Sequence, residues 1–198
     1  MKSILIMILS FSIHGSLLSQ DKAVFSFSPG GADEVTGLML NMFPSDSKFT
    51  SIKGLELELS PISPMIIGMS IFHIIELTTN DYSQHYDIPQ EINKEIEGVH
   101  IGMLNIDPSS INGFEINVLS FANSCNGLSI SAINITNEIN GVSVGVIRNF
   151  AEKCSGVQIG LINESDDLKG FQFGLWNKNN KRSLPFINWN FSDDEESD

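Results

Sequence analysis

Ser155-Gly156-Val157-Gln158-Ile159-Gly160-Leu161-Ile162-Asn163 is followed one period later by Lys169-Gly170-Phe171-Gln172-Phe173-Gly174-Leu175-Trp176-Asn177. The two stretches share a glycine, apolar residues one, three and five places after it, and an asparagine seven places after it. Working outward, Gly98, Gly113, Gly127, Gly141, Gly156 and Gly170 are separated by 15, 14, 14, 15 and 14 residues. Gly37 and Gly54 head two earlier copies, 17 residues apart. Two places before these glycines stand Val35, Ile52, Ile96, Ile111, Cys125, Ile139, Cys154 and Leu168. A unit this short cannot enclose a core alone and must stack on its neighbours.

Period-two alternation is the mark of a strand with one buried face. It predicts that the apolar offsets after each glycine point inward, with Ile130, Val144, Ile159 and Phe173 as one buried row. The intervening offset, holding Glu56, His100, Ser129 and Gln158, is then expected to face solvent. Its lack of a threonine ladder argues against ice binding. The apolar position before the glycine has the opposite parity, so a bend at the glycine is expected to return it to the core. The recurring Asn105, Asn134, Asn163 and Asn177 suit a second corner.

The connectors share length and chemistry, which favours an all-β solenoid of 14–15-residue coils with parallel strands. The alternative is an antiparallel meander or small β-barrel, whose paired residue numbers would keep a constant sum. Leu184-Pro185-Phe186-Ile187-Asn188-Trp189-Asn190-Phe191 reads as an aromatic final barrel strand in that case, or as the terminal cap of a solenoid. In a solenoid Cys125 and Cys154 lie two coils apart. That is about 9–10 Å, beyond the reach of a disulfide.

Residues 1–20 read as an export signal: Lys2, then a mostly apolar run from Ile4 to Leu18, then small residues at Ser16 and Ser19. The mature chain is expected to start near Gln20 or Asp21. No cysteine ends this stretch, so a lipoprotein anchor is not expected. Residues 21–191 form the repeat domain. Gly68 heads a degenerate copy, and an excursion is expected near 78–93, rich in Asn, Asp, Ser and Gln. Residues 192–198 form an acidic, disordered tail. A formal net charge of −13 argues against nucleic-acid partners.

The run Gly156 to Asn163, its repeat Gly170 to Asn177, and the segment Lys181-Arg182-Ser183-Leu184-Pro185-Phe186-Ile187-Asn188-Trp189 resemble the bacterial exported "surface repeat-containing" proteins. The resemblance spans most of the mature chain. It implies export to the cell envelope and carries no known activity, catalytic residue or ligand.

The chain holds no nucleophile elbow, phosphate loop or dinucleotide fingerprint. His85 with Asp81, Tyr82, Tyr86 and Asp87 gathers ligand-type residues without metal-site spacing. His100 is expected to be an exposed strand residue, and Glu56/Glu58 and Asp166/Asp167 to be solvated faces and turns. No catalytic, cofactor-binding or metal-binding residue is assigned, no cofactor is expected, and the chain is not expected to be an enzyme. The expected function is an exported surface or envelope module for interaction or structure, with an unidentified protein or envelope partner. Its expected place is the cell surface, outer membrane or periplasm of a Gram-negative bacterium. The alternative is a small outer-membrane β-barrel with a structural or transport role, which leaves membrane association open.

Overall fold

The computed structural model describes residues 22–28, 32–42, 49–59, 91–105 and 109–192. Among them all regular structure is strand: β1 (Lys22–Ser28), β2 (Glu34–Asn41), β3 (Thr50–Glu58), β4 (Lys94–Ile101), β5 (Leu104–Asn105), β6 (Ser109–Ile116), β7 (Leu119–Asn179) and β8 (Ser183–Asn190). The signal segment, the cluster around His85, the proposed Gly68 copy and all of the tail beyond Ser192 lie outside the described residues.

Successive coils stack in parallel and in phase. Gly37 pairs with Gly54, Gly54 with Gly98, Gly98 with Gly113, and Gly113 with Gly127. The long extended path of β7 then winds on, placing Gly141 over Gly127, Gly156 over Gly141 and Gly170 over Gly156. Each pair of coils keeps a constant difference in residue number, so the domain is a β-solenoid and the antiparallel meander or barrel is overturned. Among the described residues the single antiparallel pairing joins β8 to the end of β7, with Gly170 opposite Asn190 and Phe173 opposite Ile187. That hairpin caps the stack.

β3 pairs directly with β4 in the stack. The backbone N–H of Thr50 donates to the Asn93 carbonyl at 3.0 Å, tying the entry of β4 to that of β3.

Each of the eight stacked glycines has φ between +140° and +151°. L-residues avoid that region, and a Cβ here would also run into a carbonyl oxygen one coil below, that of Val24 beneath Gly37 and that of the preceding glycine beneath the other seven. The close backbone approach therefore explains why glycine, and no small substitute, heads every copy.

The position two before the glycine is buried in every coil, as expected: Val35, Ile52, Ile96, Ile111, Cys125, Ile139, Cys154 and Leu168 line one interior column. The other half of the inside–outside assignment is reversed. Two places after the glycine, Glu56, His100, Glu115, Ser129, Ser143, Gln158 and Gln172 point into the solenoid. The apolar offsets point out: Ile159 is 42% exposed, Phe173 39%, and Val146 and Leu175 61% each. The physical reason is parity. Positions two before and two after a glycine fall on the same side of an extended chain, so the buried apolar column carries the polar one inward with it.

Buried polar groups need partners, and stacking identical side chains supplies them, since an amide both donates and accepts. Gln172 Nε2 donates to Gln158 Oε1 at 2.8 Å, and Asn188 Nδ2 of the cap donates to Gln172 Oε1 at 3.0 Å. A second ladder runs from Asn134 to Asn149, Asn163 and Asn177, with steps of 3.1, 2.7 and 2.8 Å. Three of the asparagines expected at corners, Asn134, Asn163 and Asn177, thus join Asn149 in a buried spine, while Asn105 donates to Ser109 and Glu115 instead. Each such bond adds about 1 kcal/mol net, and each unmade one costs more.

Cys125 and Cys154 are free, buried thiols in the apolar column, with Ile139 in the coil between them. Burial pushes both thiols up to about 12, helped at Cys125 by the Glu115 charge. At pH 8 only about one part in ten thousand is thiolate, so iodoacetamide should leave both unmodified until the chain is unfolded. Rapid alkylation of the native protein would contradict this burial.

Candidate docking face

The solenoid is an amphipathic slab. On the flank before each glycine, the outward offsets carry polar residues such as Lys53, Glu97, Asn126 and Lys169. Asn140 Nδ2 donates to Asn126 Oδ1 at 2.9 Å, and Asn126 Nδ2 to Asn112 Oδ1 at 2.7 Å, along a solvated ladder. Lys53 pairs with Glu97 at 3.6 Å in the neighbouring coil. This outward column carries no threonine ladder.

The flank after each glycine is the opposite. Its three outward columns begin at Leu38, Leu40 and Met42 and run through all eight coils to Phe171, Phe173 and Leu175 with no charged or polar side chain. The cap continues the face: Trp189 sits opposite Phe171 and Ile187 opposite Phe173. Phe171 also meets Phe191 edge-on at 5.1 Å. An uninterrupted apolar plane of this kind is a candidate interaction surface, because isolated soluble chains rarely expose more than a few hundred square ångströms in one patch.

Directly behind this plane lies a buried ionic cluster. Lys94 Nζ is 3.3 Å from Glu56 Oε1 and 3.8 Å from Glu58 Oε2. His100 lies between the same carboxylates, its Nδ1 3.7 Å from Glu56 and its Nε2 3.6 Å from Glu58. Both His100 and Glu56 are 0% exposed. Burial drives the Glu56 carboxyl up, but Lys94 and His100, with a hydrogen bond from Asn41, outweigh it and hold the group below the usual carboxylate range. The sequence-based expectation that His100 and the Glu56/Glu58 pair face water is therefore wrong. They face one another inside the coil, with Lys94 as the cation shared by the two carboxylates, out of reach of any substrate. One coil on, Glu115 accepts from Asn105, Asn117 and Ser120 at one oxygen and from Ser129 at the other. Asp166 is exposed and Asp167 half-buried, and both lie in the extended path of β7 and not in the turn expected from the sequence.

At the capped end a groove of about 360 Å³ is lined by Lys181, Arg182, Trp189, Asn190, Phe191 and Ser192. Its cations are already engaged. Arg182 lies 4.5 Å over the Trp189 ring and donates to Asn188 Oδ1 and the Trp189 carbonyl. Lys181 Nζ donates to Ser192 Oγ.

No group of His, Cys, Asp and Glu among the described residues is arranged to hold a metal ion. Among the same residues no helix is long and apolar enough to cross a membrane. No family model matches the chain, and neither a curated protein nor a solved structure does. The functional reading therefore rests on the geometry. Reasoning from sequence missed both the outward apolar plane and the buried ionic cluster. The signal that reveals them is the shared parity of the positions flanking each glycine.

Proposed function

We propose that this chain is an exported module of the bacterial cell envelope that works by docking through its apolar flank, without catalysis. The observation that carries the reading is the two-faced slab: one flank polar, hydrogen-bonded and wet, the other apolar through every coil. The export signal read in residues 1–20 and the resemblance to exported surface-repeat proteins support an envelope location. The absence of catalysis is supported by the closure of the Glu56/Glu58 pair inside the coil, against Lys94 and His100.

Cell fractionation combined with cross-linking tests the reading. The chain should be recovered from the envelope without its first twenty or so residues, in a cross-linked species heavier than itself. Ile159→Glu with Phe173→Glu should leave the β-sheet circular dichroism unchanged, because both side chains already face outward, and should abolish that species. Retention in the cytoplasm with Met1 intact, or an unchanged cross-linking pattern in the charged variant, would overturn it.

A further inference from the structure

We infer that the occupant of the apolar flank is a second copy of this chain, packed face to face on the first; this rests on the docking reading above. The area is of the right size. Eight coils about 4.8 Å apart make a face about 34 Å long, and three outward columns with their side-chain girth make it about 17 Å wide. The flat footprint is about 600 Å², which side-chain relief raises towards the roughly 800 Å² per partner of a stable interface. Both copies present columns at the same repeat, so the ridges of one seat in the grooves of the other, as in two packed sheets. Such a contact is isologous and closes at two copies.

The charge layout selects a second copy over a lipid surface. Faces that settle on anionic membranes carry Lys and Arg along their edges. Here Lys22, Lys53, Lys153 and Lys169 lie on the opposite flank, and Arg148 and Lys178 are committed to Glu164 at 2.9 and 2.8 Å. The two cations at the capped end of the face are engaged within the chain, Lys181 with Ser192 and Arg182 with Asn188 and Trp189. The whole chain carries −13, which a bacterial lipid surface repels. Face-to-face pairing buries the uncharged flank and leaves both charged flanks in water, apart from each other.

End-to-end growth is disfavoured at the capped end. β8 runs antiparallel there, carries Pro185, holds Phe186 at φ 66° and breaks register against β7 between Gly174 and Asn177. Those are the features by which natural edges resist further strand addition.

Light scattering on the purified chain in detergent-free buffer should give twice the chain mass. Ile130→Glu with Ile159→Glu should give the single mass with the wild-type circular dichroism. If that variant does not fold, carbene footprinting of the wild type decides: Val144 and Ile159 should be protected at high concentration and labelled on dilution, while Asn126 and Lys169 stay labelled throughout. A wild type that is monomeric at high concentration overturns the inference. So does one that floats with phosphatidylethanolamine–phosphatidylglycerol vesicles as a monomer, which assigns the flank to lipid. Either result leaves the envelope-docking reading standing, because that is judged by export and by cross-linking in the cell.

Discussion

Gly156→Ala is expected to cause an unusually large loss of stability for the addition of a single methyl group. At φ +145° alanine is strained, at a cost of about 1–3 kcal/mol. Its Cβ would also fall inside contact distance of the Gly141 carbonyl oxygen, so two coils must separate or the glycine column must shear. Backbone is on both sides of the clash, and no rotamer relieves it. The total should reach about 4 kcal/mol or more, the upper tail for point substitutions. Because each coil touches only its neighbours, damage at one level divides the stack. Urea unfolding followed by circular dichroism should therefore show a lowered midpoint or a split transition. Ser155→Ala, next door and exposed, should stay within about 0.5 kcal/mol of wild type. An alanine variant that melts with the wild type would show that the glycine column is not needed.

Lys94→Met should be nearly as severe for a different reason. It keeps length and apolar bulk but removes the cation shared by Glu56 and Glu58, leaving two carboxylates in the interior beside His100 and the Asn41 amide. Breaking a buried ionic set from one side costs about 3–5 kcal/mol. Adding Glu56→Gln to Lys94→Met should recover much of that, because the amide can still take part in the interior hydrogen bonding.

The pH dependence has a definite sign. In the wild type the Glu56 carboxyl is held below its unfolded value, so its contribution is complete above about pH 4.5 and is lost as pH falls through the lower folded value. In the variant the missing Lys94 leaves desolvation in command, so the deficit should be greatest near neutrality and shrink as acid protonates the carboxyls. Melting temperatures of both proteins between pH 7 and 3 test this. A deficit independent of pH would mean that Lys94 acts through packing alone.

Much of the architecture was legible in the sequence. The eight phased glycines, the coil length and the apolar column ending at Leu168 depend on contacts between equivalent positions of neighbouring coils, and such contacts write themselves into the sequence as a period. The closing hairpin was visible as an aromatic terminal segment, though not its antiparallel direction. What could not be read was which face of the second flank turns inward. Alternation fixes two faces without naming the inner one, and the ordinary rule that apolar residues go inside pointed the wrong way for Ile159 and Phe173. The decision belongs to the stacked structure. A lone Gln158 or Asn163 would be costly to bury, but repeated every 14 residues each finds its partner one coil away. Periodicity by itself determined that this chain coils and stacks; only the ladder formed between coils decided that its polar column lies inside and its apolar column faces out.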